Sequence, residues 1–163
     1  MFKQYHAYLT GYYGMQNTGD DVLMYTTRWA SHHLLGATNN KVSSASLIKC
    51  EEFGDVQAMP EPRFRGQQRL LHYKDALQSE RVIFGGGSVL HSSKDIEFKR
   101  HLIKLAGRNA SRAVGVGIGP FASIEAETSC AKFLNECGFT GVRDPESLLI
   151  AQTIAPNASV MLT

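Results

Sequence analysis

Tyr8-Leu9-Thr10-Gly11-Tyr12-Tyr13-Gly14-Met15-Gln16-Asn17-Thr18-Gly19-Asp20-Asp21 carries the outline of the fold. A short apolar run ends in glycine, polar turn residues follow, and apolar residues then recur at helical spacing. The same order returns at Val82–His91, Ala113–Phe121 and Phe139–Ser147. Strands that alternate with helices pair in parallel through right-handed crossovers. In an open parallel α/β sheet, ligands bind outside the carboxyl ends of the strands, where such turns gather. The expected architecture is α/β: a Rossmann-like three-layer domain with a mostly parallel sheet and four candidate loops on one edge.

The 163 residues suffice for one domain with a real core and are too few for two ordinary ones. A hydrophobic content of 43% and a charged content of 20% are those of a globular protein. The formal charge of +2 is small and its basic residues are scattered, which argues against a nucleic-acid partner. No apolar stretch approaches the roughly 20 residues of a membrane span. Met1–His6 lacks the apolar core of a signal peptide. Cys50, Cys130 and Cys137 form an odd set without CxxC spacing, and read as reduced thiols of a cytoplasmic protein. The sequons at Asn109 and Asn157 then read as chance.

Outward from the opening motif, Tyr5–Thr10 reads as the first strand. A helix is expected from about Asp20, with Val22, Leu23, Thr26, Trp29, Ala30, His33 and Leu34 as its buried face. Asp20 suits the N-cap of that helix. Val42–Ile48 reads as a strand and Glu51–Gly66 as a loop. Gln67–Gln78 reads as a helix with Leu70, Leu71 and Leu77 inward. Arg81–Phe84 is a buried strand stopped by Gly85-Gly86-Gly87, and Lys94–Ala106 a helix closed by Gly107. Ala113–Ile118 is the next strand. Ile124–Cys137 is an amphipathic helix burying Ala126, Cys130, Phe133, Leu134 and Cys137. Phe139–Val142, Pro145–Ile154 and Ser159–Leu162 complete the series as strand, helix and strand.

The chemistry is expected on the turns. The loop Gly11–Asp21 has three glycines and an Asn, so its amides are free to donate to a ligand, and a helix amino terminus follows. Asp20 and Asp21 favour sugar hydroxyls or a general base over an anion; the structural alternative is a capped helix. Gly85, Gly86 and Gly87 match neither a dinucleotide fingerprint nor a Walker loop. They suit backbone approach to a ligand, or equally to a neighbouring element. His91 and Ser92 lie within reach of a substrate, which makes His91 a candidate for acid/base work beside a purely structural role. Gly115 and Gly117 share one strand face and read as room for a packed helix, while Gly119-Pro120 at the strand end reads as a ligand contact. Asp144 followed by Pro145 reads as N-cap and first helical residue. Arg143 has no such role; it can hold a carboxylate or phosphate, or pair with Asp144 or Asp20. His32 and His33 are adjacent on a helix and do not converge on one metal. No Cys/His set has metal-ligand spacing, so no metal site is expected.

Four blocks in this order resemble the amino-terminal half of the polysaccharide pyruvyl transferase family. They are Gly14–Asp20 as GxxNxGD, Val82–Gly87 as a strand into GGG, Gly115–Pro120 as GxGxGP, and Val142–Ser147 as V-R-D-x-x-S. Val160–Thr163 is similar to the strand before the family's crossing between domains. The resemblance implies half of a two-domain fold like that of B-type glycosyltransferases, with the carboxyl-terminal half absent and residues 1–163 inactive or weakly binding alone. It implies transfer of a pyruvyl group from phosphoenolpyruvate, a donor substrate rather than a cofactor, to the hydroxyls of a sugar or lipid-linked glycan acceptor. Arg143 is then the donor-anion residue. Asn17, Gly19 and Asp20 shape the cleft loop, with Asp20 as the base, and Gly85–Gly87 and Gly119 give backbone access. Asp21 stands where the family often has Glu. A homo-oligomer is compatible with this reading. Two alternatives stay open: a half of a nucleotide-sugar-dependent glycosyltransferase, and a non-catalytic glycan-binding or assembly domain.

Overall fold

The computed structural model describes residues 3–86 and 89–163. In chain order the elements are β1 (Ala7–Thr10), α1 (Thr18–Leu35), β2 (Asn40–Val42), α2 (Gln67–Leu77), β3 (Val82–Phe84), β4 (Val89–Leu90), α3 (Ser93–Ala106), β5 (Arg112–Ile118), α4 (Ile124–Glu136), β6 (Phe139–Val142), α5 (Pro145–Ile154) and β7 (Val160–Leu162). The seven strands form one sheet in the order β2-β1-β3-β5-β6-β7, with β4 beside β5. Every named pair is parallel. The expected α/β, Rossmann-like three-layer architecture is therefore what the chain adopts.

The layers follow from period-two alternation along the central strands. Tyr8, Val82 and Phe84 point to one face, where Ile96, Leu102, Phe133 and Ala151 from the helices complete the main core. Ala7, Leu9 and Ile83 point to the other face and meet Ala37, just after α1. Helices α2 to α5 thus cover one face, and α1 covers the other. Between α3 and α4, Arg100 donates to both Glu97 and Glu136. At the far end of the sheet, Lys3 donates to Leu77 O at the end of α2 and to Leu105 O and Ala106 O at the end of α3. One cation there satisfies carbonyls that two helices leave unpaired.

The buried set expected for α4 is the observed one, at most 5% exposed from Ala126 to Cys137. Burial pushes the Cys130 thiol up to about 12, helped by the charge of Glu127, so it stays protonated and inert. The face expected for α1 is corrected. Its buried residues are Met24 and Ser31, whereas Val22 is 56% and Leu34 71% exposed. The reason is that α1 stands alone on its side of the sheet. Leu23, Thr26, Ala30 and Leu34 border an open groove instead of another helix. His33 is exposed, against Trp29 and Glu52. Leu70 of α2 is likewise exposed, and Ala76 is the residue that α2 buries. Strand β2 ends at Val42 rather than Ile48. Beyond it, Ser43 donates to Thr10 Oγ1 at 3.1 Å, Ser44 donates to Ser46 O at 2.7 Å, and Ile48 folds back to bridge Val56.

Candidate functional site

The loop after β1 is held by its own side chains. Gly14 sits at φ 71°, a left-handed conformation that glycine adopts without strain. Its amide donates to Asp21 Oδ1 at 2.7 Å, and Ser46 Oγ donates to its carbonyl at 2.7 Å. The N-cap of α1 is Asn17, not Asp20: the Asn17 Oδ1 accepts from Gly19 N at 3.1 Å. Asparagine competes well for this position, so the helix starts two residues before the expected point. Asp20 becomes the third helical residue, and Asn17 Nδ2 donates to its Oδ2 at 2.8 Å. Asn17 and Gly19 are exposed, while Asp20 is half-buried and borders the groove beside α1.

Strand β3 ends at Phe84, so the glycines that follow stop it as expected. The chain returns to the sheet as β4, which pairs with Gly117 and Ile118 of β5. Strand β5 carries a bulge. Gly115 has φ 68°, the register breaks between Ala113 and Val116, and a Cβ on Gly115 would stand 3.9 Å from Gly86 Cα. The glycines of β5 therefore do not share one face, and the groups nearest to them are Gly86 and the Arg143 side chain. Gly85 is buried under Tyr13, whereas Gly86 faces Leu23 and borders the groove. The expectation for Gly87 lies outside the described residues.

Gly117 makes room for an arginine. A Cβ there would come within 2.9 to 3.0 Å of the Arg143 guanidinium. Arg143 follows β6 and its backbone N–H donates to Val116 O at 3.1 Å. Its side chain is 53% exposed, and Nε lies 3.5 Å from Asp144 Oδ2, one of the pairings considered from sequence. Asp144 is the N-cap of α5, with Pro145 next, as expected. Its Oδ1 accepts from Ser147 N at 2.7 Å, and Ser147 Oγ donates to its Oδ2 at 3.0 Å and accepts from Ile118 N at 2.9 Å. The Ser147 amide and hydroxyl, with Arg143 adding, hold the Asp144 carboxyl below its usual range. Asp144 and Ser147 are thus spent on fixing the end of β5 to α5, and they leave Arg143 projecting over Gly117.

Two cavities meet at Arg143. The larger, about 720 Å³, runs between α1 and the open sheet face, with Asp20, Leu23, Gly86, Val114, Gly115 and Arg143 among its borders. Its charged groups sit at its ends, Asp20 and Arg143 at the carboxyl edge of the sheet and Arg112 at the other. The smaller, about 140 Å³, has Gly117, Gly119, Pro120, Arg143 and Glu146 around it. Gly119, at φ 69°, is held by its amide to Leu90 O at 3.0 Å. His91 is exposed at the end of β4 and borders neither cavity; its carbonyl accepts from Ala122 N at 3.0 Å. The structure thus brings together Asp20, Gly86, Gly119 and Arg143. It sets Asn17 and Gly19 at the helix start, and Gly85 beneath the loop. Gly117 as the seat of Arg143 was missed in the sequence because strand glycines at alternate positions read as a helix contact.

Among the described residues, no group of three His, Cys, Asp or Glu side chains is placed to hold a metal ion, and no helix is long and apolar enough to cross a membrane. No family model, no curated protein and no solved structure matches the chain.

Proposed function

We propose that the chain is the amino-terminal half of a pyruvyl transferase that uses phosphoenolpyruvate as donor and sugar hydroxyls as acceptor. The observation that carries this reading is Arg143. It is a half-exposed guanidinium at a strand's carboxyl end, seated on a glycine and shared by two cavities. A planar guanidinium matches a carboxylate or phosphate with two parallel N–H bonds. The reaction needs such a cation. C2 of the donor takes two sugar oxygens to form the ketal, its methylene carbon gains a proton, and phosphate leaves. Asp20, at the same end of the groove, is the base for an acceptor hydroxyl. Gly86 and Gly115 keep the wall between them at backbone height. His91 lies outside both cavities and has no donor contact in this reading.

The test is a thermal-shift and calorimetric titration of the protein with phosphoenolpyruvate and, in parallel, with nucleotide-sugars. Phosphoenolpyruvate is expected to raise the melting temperature and nucleotide-sugars are not. Arg143→Ala is expected to weaken phosphoenolpyruvate binding by about 10- to 100-fold, the loss of a charge-assisted hydrogen-bond pair. Unchanged affinity in that variant removes Arg143 from the donor site, and a response to nucleotide-sugars alone favours the glycosyltransferase reading.

A second substitution separates position from charge. Gly117→Ala keeps the guanidinium but pushes it off its seat. The arginine end is flexible, so the stability loss should stay within about 1 kcal/mol. Phosphoenolpyruvate affinity should nonetheless fall about tenfold, because the bidentate geometry is lost. An affinity equal to that of the wild type would mean that Arg143 reaches its anion from any position.

A further inference from the structure

On the opposite face of the β1 loop a second cavity, about 160 Å³, opens between α2, α3 and the end of β1. Thr10, Tyr12, His72, Asp95 and Lys99 bring polar groups to it, and Phe98 forms an apolar wall. Lys99 is unusual for its charge: its side chain is 8% exposed, where lysines seldom go. An ammonium has three N–H donors, and among the described residues Lys99 spends one, on Asp95. His72 adds a further polar group. Its Nδ1 is hydrogen-bonded to the Tyr8 hydroxyl. Burial lowers its pKa and keeps the ring neutral. Nε2 is a donor where the phenol donates to Nδ1 and an acceptor where Nδ1–H donates to the phenol. Asp95, Thr10 and Tyr12 supply acceptors. Partial burial, with the charges of Asp95 and Asp20 adding, raises the Tyr12 pKa.

The cavity continues outward. A groove of about 380 Å³ shares His72, Asp95 and Phe98 with it and adds Gln68, Arg69 and Lys94. The Arg69 guanidinium lies 5.2 Å above the Phe98 ring centroid, and the His72 ring meets Phe98 edge-on at 5.4 Å. The inner part carries one positive and one negative charge, Lys99 and Asp95, beside an aromatic wall. The outer part adds two exposed cations.

We propose that this cavity and groove bind a phosphorylated sugar, with the sugar ring inside and the phosphate against Arg69 and Lys94. Sugar hydroxyls donate and accept at once, which matches the interleaved donors and acceptors of the inner part. A bare anion is opposed there by Asp95, whereas the outer cations suit a phosphate. The inner space holds a single ring. The inference goes beyond the proposed function: it adds a second ligand site, on the other face of the β1 loop from Asp20 and Arg143.

The test titrates the whole protein with glucose 1-phosphate, galactose 1-phosphate and mannose 1-phosphate, with inorganic phosphate and free glucose as controls, followed by NMR shifts at Lys99, His72 and Phe98. At least one hexose phosphate should saturate these shifts and bind more tightly than either control. Arg69→Gln, on an exposed residue that stacks on Phe98 from the solvent side, should weaken that binding about tenfold, and Lys99→Met at least as much. Three results overturn the proposal: no saturable shift with any of the three, affinity unchanged in both variants, or inorganic phosphate binding as tightly as the hexose phosphates. Phosphoenolpyruvate titration of Arg143→Ala probes the other face of the loop, so either reading can fail while the other stands.

Discussion

Arg100→Met is expected to lower the unfolding free energy by about 2 to 3 kcal/mol, although it replaces a charge with an apolar side chain of similar length. The arginine side chain is 10% exposed and all three of its guanidinium nitrogens donate to carboxylates. Nε and one terminal nitrogen donate to Glu136 at 3.0 and 2.7 Å, and the other terminal nitrogen donates to Glu97 at 2.6 Å. Ser129 also donates to Glu97, at 2.8 Å, and Lys104 lies 3.8 Å from Glu136. The whole set joins α3 to α4. Removing the arginine leaves two carboxylates without their main cation; their partial exposure to water keeps the loss below that of a fully buried pair. For a chain of this size the melting temperature should fall by about 5 to 10 °C.

The pH dependence of that difference identifies its cause. Partial burial works against the charge on Glu97, but Ser129 and Arg100 outweigh it. On Glu136 the Arg100 hydrogen bonds act first. Both carboxyls end below their usual 4.5. A carboxyl depressed in the folded state stabilises above its unfolded pKa, and that stabilisation is lost as pH falls through the folded value. The gap between wild type and Arg100→Met should therefore be widest at neutral pH and shrink below about pH 4.5. Urea melts at a series of pH values measure it. A gap that stays constant into acid would assign the loss to packing of the arginine stem.

The network also shows where a one-dimensional reading stops. Asp95, Lys99, Glu97 and Arg100 stand at spacings of four and three, a pattern available in the sequence and ordinarily found on a solvated face. Here α4 and α2 pack on that face, and only the tertiary arrangement makes Lys99 and Arg100 buried. The helix α4 itself was fully legible, because five apolar residues at helical spacing leave one way to bury them. The end of β6 was legible for a different reason: Asp144 and Pro145 are paired local signals for a helix start, independent of what packs nearby. The first helix had an equally clear apolar stripe, yet the stripe borders a groove. Periodicity reports which residues share a face; it says nothing of whether a neighbour covers that face.

Site residues divide along the same line. Arg143 was legible because an arginine directly after an apolar strand, next to a capping pair, has no local structural task. The pairing of Gly117 with Arg143 was hidden, since the two are 26 positions apart in sequence and meet only through the parallel pairing of β5 with β6. His72, Asp95 and Lys99 were hidden more deeply. They lie on two helices and close a cavity against β1, and no motif joins them. The glycines at 85 and 86 were legible as the stop of β3. The two apolar residues Val89 and Leu90 are too brief a run to announce a strand, so β4 could not be read.

The close approach of Tyr13 to Gly85 supports the last expectation. Gly85→Ala should cost about 3 kcal/mol, because the added methyl overlaps the Tyr13 hydroxyl and comes within 3.1 Å of the ring's Cζ. Tyr13 is 1% exposed, packed with Met24 and Val56, and so has no room to retreat. Its hydroxyl has no hydrogen-bond partner among the described residues. Tyr13→Phe should then be nearly neutral, within about 1 kcal/mol, since no bond is lost and an unpaired buried oxygen is removed. In the double variant the worst overlap is gone and the contacts with the ring and with the Thr27 hydroxyl, at 3.1 and 3.0 Å, remain, so the two substitutions should couple by about 2 kcal/mol in favour of the pair. Chemical denaturation of the four proteins completes the cycle. Simple additivity would mean that the tyrosine swings aside freely.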